Sequence, residues 1–144
     1  MSIQAQSLRT RARHLRDRLA GLYLAESLTI VVGVGTAAFG TILISLPAPI
    51  TITPSFRAAF AMLPVHIWGL GAVTLGLLMV TLLLHSRAAA AIPALLTAAG
   101  TALWAVPIIF TPGSIPTAPV VYIFAALVAL LAGVACLVPR GRHG

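Results

Sequence analysis

Two carboxylates, Asp17 and Glu26, are the only acidic side chains in the chain, and they limit the chemistry that it can perform. Glu26 lies about one helical turn inside the first long apolar run, beside Ser27 and one turn from Tyr23. An acid at membrane depth is a candidate proton or cation site, because a charge is costly to place in lipid. At this depth the side chain can also reach water or pair with an arginine. We therefore consider both a transport role and a structural ion pair for Glu26.

The remaining polar residues predict no enzyme, no cofactor and no metal. A metal site needs at least three converging ligands. The four histidines cannot converge, because His66 is expected at one end of the apolar runs and His14, His85 and His143 at the other. A serine, histidine and acid cannot be combined either, because both acids are expected at or beyond the inner boundary of the membrane.

A dinucleotide-binding fingerprint is matched in form by Gly33, Gly35 and Ala38. The match lies in the middle of an apolar run, and no acid follows about 20 residues later to hold a ribose. We therefore interpret it as a chance match.

The composition excludes an ordinary water-soluble domain. Of the 144 residues, 60% are hydrophobic and 8% are charged, with a mean hydropathy of +1.07, whereas soluble domains have about 45–50% and about 25%. A chain of this size cannot hide that much apolar surface in its own core. The net charge of +7 raises the alternative of nucleic-acid binding. However, five of the nine arginines lie in the first 18 residues, as charges that set the orientation of a membrane protein do.

Four long apolar runs, separated by proline, glycine and polar residues, predict an all-α integral membrane protein. We expect four transmembrane helices arranged as two antiparallel hairpins and preceded by an amphipathic cytoplasmic helix. The predicted segments are a basic amphipathic segment (1–21), the first span (22–46), an outer loop with a short interfacial helix (47–63), the second span (64–84), an inner turn (85–87), the third span (88–108), a Pro/Gly outer loop (109–117), the fourth span (118–138) and a cytoplasmic tail (139–144).

The N-terminal segment has apolar residues at helical spacing, including Leu8, Ala12, Leu15 and Leu19. Such a helix is expected on the inner leaflet, with its guanidinium groups near anionic lipid headgroups. The arginines concerned are Arg9, Arg11, Arg13, Arg16 and Arg18. A topology anchor and a regulatory or partner-binding helix are the two interpretations of this segment.

Arginine counting predicts the orientation. If the N-terminus is cytoplasmic, eight arginines fall on the inner side and only Arg57 on the outer side, as the positive-inside rule requires. Trp68, Trp104, Phe110 and Tyr122 then fall near the outer ends of their helices, where an interfacial aromatic belt is expected. We predict a multi-pass protein of the cytoplasmic membrane with both termini inside the cell.

The first two spans share a G-x-G-x4-G spacing, and its first and last glycines lie on one helix face. Counted from the outer ends, Gly40 is about as deep as Gly69, and Gly33 is about as deep as Gly76. Small residues let membrane helices approach closely. We therefore expect these glycines to form the contact between spans one and two. The alternative is that glycine is simply common in membrane helices.

The opening of the second span, Leu63-Pro64-Val65-His66-Ile67-Trp68-Gly69, the chain length and the basic start resemble the small four-span membrane proteins of actinobacterial phages, some of which are holins. This resemblance implies self-association in the cytoplasmic membrane until the membrane becomes permeable. A second hypothesis is an accessory or scaffold subunit of a larger membrane complex. The segment Tyr23-Leu24-Ala25-Glu26 is also similar to the first span of small multidrug-resistance transporters. That likeness implies a third hypothesis, a small transporter that uses Glu26.

Overall fold

The computed structural model describes residues 3–45, 54–112 and 117–138, and within these ranges it describes only the backbone of residues 3–23, 55 and 58. All regular structure in these ranges is helical. The five helices are α1 (Ile3–Ser45), α2 (Pro54–Met62), α3 (Val65–His85), α4 (Arg87–Ile109) and α5 (Thr117–Leu137). Four segments are long and apolar enough to cross a membrane, namely Leu24–Ser45, Val65–His85, Arg87–Ile109 and Thr117–Leu137.

The basic segment and the first span form one continuous helix, α1, rather than two elements that meet near residue 21. No proline interrupts this stretch, and the single glycine there, Gly21, weakens a helix by only about 1 kcal/mol. The side chains of the predicted amphipathic face and of the five N-terminal arginines lie outside the described residues. Residues 46–53 and 113–116 of the predicted outer loops and the predicted tail, 139–144, also lie outside them.

The junction between α3 and α4 is shorter than the predicted turn, because Ser86 alone separates the two helices. Its backbone N–H donates to the Leu82 carbonyl oxygen at 2.8 Å, which closes α3. Its hydroxyl accepts from the backbone N–H of Ala89 at 3.3 Å, which begins α4. One serine thus satisfies backbone groups of both helix ends.

The helices pack through small side chains. The most extensive contacts join α1 to α3 and α4 to α5, α3 also packs on α4, and α2 lies against α4. Alanine dominates the buried positions of α4 and α5, whereas large apolar side chains are exposed along every helix. Leu70, Leu84, Ile92 and Phe124, for example, are each more than half exposed. This surface is compatible with a multi-pass membrane protein, since lipid favours large apolar side chains and small residues favour helix contact.

Candidate functional site

Four glycines form the contact between α1 and α3, which we call the glycine seam (Gly33, Gly40, Gly69 and Gly76). A Cβ atom built on Gly40 would lie 2.5 Å from the carbonyl oxygen of Gly69. One built on Gly76 would lie against the Gly33 carbonyl oxygen and 2.6 Å from the Ala37 backbone nitrogen. Residue numbers therefore rise along one helix as they fall along the other. At Gly40 and Gly76 the backbones are so close that the helices must shift to admit even a methyl group.

The middle glycine of each G-x-G-x4-G motif has a different environment. A Cβ atom on Gly35 or Gly71 would meet no atom of the described residues within 4 Å, and the same holds for Gly100 of α4. All three glycines line one cavity of about 720 Å³ that is bounded by α1, α3, α4 and α5. The motif thus serves two purposes, with its outer glycines in the seam and its middle glycine at the cavity.

The cavity is apolar, and none of the described residues that line it is charged. Its walls include Phe39 of α1, Leu75 of α3 and Val128 of α5. Several wall residues remain exposed, with Val121 at 62% and Phe124 at 68%, so the cavity opens at the surface of the helices.

Trp104 closes one end of the cavity, at the end of the helices where α2 packs. Its indole is 3% exposed and lies within 6.3 Å, centroid to centroid, of five other rings. These rings belong to Phe39, Phe56, Phe60, Trp68 and Tyr122, and we call the group the aromatic cluster. The closest approach is edge-to-face, 4.9 Å between the Trp68 and Trp104 centroids, a geometry that aromatic quadrupoles favour.

Trp104 lies near the end of its helix, as the sequence predicts, and its ring points into the protein. The cause is α2, whose Phe56 and Phe60 cover the ring, while Trp68 Nε1 donates to the Ala59 carbonyl oxygen at 3.3 Å and ties α2 to α3. Phe110 remains 79% exposed.

Glu26 lies near the opposite end of the helices, beside Arg87 of α4. Arg87 Nε is 3.8 Å from Glu26 Oε1, and the two side chains are 15% and 31% exposed respectively. The distance fits an ion pair, although it is too long for a hydrogen bond. This partner lies on another helix, and the N-terminal arginines that the sequence offered as partners have side chains outside the described residues. The pairing supports the structural interpretation of Glu26.

A buried polar contact links α1 to α5 at the same end. Thr29 Oγ1 donates to the Ala25 carbonyl oxygen at 2.8 Å and lies 3.2 Å from Cys136 Sγ. Because the threonine proton is used on the carbonyl, the thiol donates to the threonine oxygen. Cys136 is a buried free thiol at a packed position. The sequence does not single out Thr29, because threonine is an ordinary polar residue in a membrane helix.

The predicted absence of a metal site is not contradicted: within the described ranges, no three histidine, cysteine or acidic residues form a group that could hold a metal ion. His66 and His85 are both exposed, near opposite ends of α3. His85 Nδ1 lies 3.0 Å from the Thr81 carbonyl oxygen of its own helix.

No protein family, curated protein or solved structure matches the chain.

Proposed function

We propose that the protein is a non-enzymatic, multi-pass protein of the cytoplasmic membrane that self-associates in the bilayer. Each candidate span has between 17% and 39% of its most apolar window buried within the chain, so most of the helix surface is open to lipid or to a partner. The glycine seam cannot supply the association face, because α1 and α3 use it to pack on each other. A different face must therefore carry the contact between chains.

The observation that carries the proposal is the outward face of α1. Every third or fourth residue along this face is small or β-branched, and all of them are exposed. We call this line the α1 stripe, and it consists of Ser27, Val31, Val34, Ala38, Thr41 and Ser45. The alternating spacing of four and three is that of two helices packed at a small left-handed angle. Small residues and hydroxyls are what drives helix association where lipid removes the hydrophobic effect.

The outward faces of α4 and α5 provide an internal comparison. At similar spacing α4 presents Ile92, Leu96, Leu103 and Val106, interrupted by the single alanine Ala99. The outward face of α5 also carries large residues, such as Leu127 and Leu131. Large apolar side chains of this kind are suited to contact lipid chains. The contrast favours α1 as the helix that meets a second copy.

In this proposal the segments form two antiparallel hairpins, α1 with α3 and α4 with α5, and both termini are cytoplasmic. Holin-like permeabilisation, through association of many copies, is the activity that follows most directly. An accessory subunit is the alternative, in which the α1 stripe contacts a helix of a different protein. The pairing of Glu26 with Arg87 favours both over a transporter that uses Glu26.

The test replaces one exposed alanine on each face. Ala38→Leu places a large side chain in the α1 stripe, and Ala99→Leu makes the same change on the outward face of α4. Energy transfer between labelled copies in vesicles should show association of the wild type and of Ala99→Leu. We expect Ala38→Leu to weaken association about tenfold, which corresponds to about 1.4 kcal/mol.

Induced expression provides the functional measurement. The wild type and Ala99→Leu should depolarise the cell membrane, and Ala38→Leu should do so later or at higher expression. A chain that stays monomeric at all protein-to-lipid ratios would contradict the proposal. If the monomer instead purifies in a fixed ratio with a second membrane protein and Ala38→Leu releases that protein, the accessory-subunit alternative is correct.

A further inference from the structure

The apolar cavity and the α1 stripe lie on different sides of α1 and share no residue. Its volume of about 720 Å³ falls in the range of roughly 300–1,000 Å³ that is typical of small-molecule sites. Three helices contribute a glycine to its wall, so the space exists because side chains are missing where they would otherwise fill it.

Two buried hydrogen-bond donors of residues that line this cavity, Thr97 Oγ1 and Trp104 Nε1, make no hydrogen bond of normal geometry among the described residues, although the indole does interact with the Tyr122 side chain. The residues are 7% and 3% exposed, so both donors are largely removed from the outer surface of the protein. Other threonines of the spans, such as Thr29 and Thr101, donate to the carbonyl oxygen four residues earlier. Thr97 lacks this bond, and the indole N–H can act only as a donor. A ligand here should therefore supply acceptors.

Thr97 and Trp104 lie on one face of α4, seven residues apart, so their Cα atoms are separated by about 10 Å along the helix axis. Gly100 lies between them on that face and has open space where a side chain would be. A flat ring can therefore rest on the backbone at Gly100, with one donor beyond each edge. The span across two opposite ring carbonyls and two hydrogen bonds is also on the order of 10 Å.

The depth of Thr97 and Trp104 distinguishes phospholipids from ligands that dissolve in the hydrocarbon core. Thr97 is one residue from the middle of α4, and Trp104 is about 9 Å from it. The ester oxygens of phospholipids lie at the boundary of the hydrocarbon core, about 15 Å from its middle. Both donors are thus deeper than those esters. The ligand should carry its oxygens on a body that is soluble in the hydrocarbon core itself.

We propose that this cavity binds an uncharged, lipid-soluble molecule of the quinone class. Its ring lies on Gly100, and its two carbonyl oxygens accept hydrogen bonds from the Thr97 hydroxyl and the Trp104 indole. Its apolar chain leaves through the opening beside Val121 and Phe124. The proposal concerns binding alone and does not depend on self-association of the chain.

The protein contains an intrinsic reporter, because its two tryptophans, Trp68 and Trp104, both line the cavity. In a Trp68→Phe background, the emission of Trp104 is measured in vesicles of phosphatidylethanolamine and phosphatidylglycerol. A 1,4-naphthoquinone with a short prenyl chain is then titrated into the vesicles. We expect saturable quenching, which indicates a site and not collision in the bilayer.

Three variants in that background define the site. Thr97→Val keeps the shape of the side chain and removes the hydroxyl, so it should weaken binding roughly fivefold to tenfold. Gly100→Leu fills the ring position and should abolish saturable quenching. Thr81→Val is the matched control, because Thr81 is exposed on α3 and does not line the cavity; it should bind as the parent does.

Two results would overturn the proposal. The first is quenching that rises without saturation and to the same extent in the parent and in Thr97→Val, whether or not Gly100→Leu folds. The second is strong quenching of Trp104 by phospholipids with brominated chains that the naphthoquinone does not relieve, which would identify an acyl chain as the occupant.

Discussion

Alanine substitutions within the G-x-G-x4-G motif of α1 should affect stability less favourably at Gly40 than at Gly35. A Cβ atom on Gly40 would lie 2.5 Å from the Gly69 carbonyl oxygen, whereas ordinary contacts begin at 3.4 Å. The helices must separate by the difference, about 0.9 Å, and such overpacking costs about 1–3 kcal/mol. A Cβ atom on Gly35 meets no described atom within 4 Å, so Gly35→Ala imposes no such separation.

Both substitutions gain the same helix propensity, about 1 kcal/mol. Gly35→Ala should therefore stabilise the chain by up to about 1 kcal/mol. Gly40→Ala should be neutral to destabilising, by up to about 2 kcal/mol once the same gain is subtracted from the overpacking cost. The difference between the two variants removes the propensity term and isolates the packing of the seam, about 1–3 kcal/mol.

The measurement is unfolding in a titration of denaturing detergent against mild micelles, followed by tryptophan fluorescence and performed at high dilution. Gly76→Ala and Gly71→Ala form the equivalent pair on α3, and the free energies of unfolding should differ in the same direction. Equal free energies of unfolding for Gly40→Ala and Gly35→Ala would refute the close approach at the seam.

Two further substitutions test the ends of the helices. Glu26→Gln should lower the free energy of unfolding by no more than about 1 kcal/mol, since the pair is partly exposed. A double-mutant cycle with Arg87→Gln should give a coupling energy of similar size. Additivity of the two substitutions would contradict the pairing. Trp104→Ala should cost about 3 kcal/mol, the lower end for deletion of a buried aromatic ring, because lipid can solvate the ring when the helices separate. Trp104→Phe should cost less, and equal losses for the two variants would show that the cluster does not depend on ring packing.

The spans and the glycine seam could be predicted from local properties of the sequence. Length and hydropathy define the four apolar helices, and residue spacing with depth pairs Gly40 with Gly69 and Gly33 with Gly76 in advance of any structure. The continuity of α1 was missed because a change from charged to apolar residues resembles a boundary. Helix continuity depends on backbone hydrogen bonds, and α1 contains no proline and no run of turn residues that would weaken them.

The cavity and the aromatic cluster could not be predicted from sequence, because both depend on which faces of different helices meet. Trp104 fits an interfacial belt by its position in the chain, and only the packing of α2 shows that its ring is enclosed. Gly100 and Thr97 are ordinary residues of a membrane helix when considered singly. They matter because they face a cavity whose other walls are formed by three other helices.

The length of α1 has a mechanical consequence. Its 43 residues extend about 64 Å, roughly twice the thickness of a hydrocarbon core. If Leu24–Ser45 crosses the bilayer, the preceding 21 residues continue in the same direction as a rod about 31 Å long, and they cannot lie flat on the membrane without breaking the helix. A protein or lipid bound to this N-terminal half can rotate the whole helix about its axis. That rotation would directly displace the glycine seam in the other half of α1.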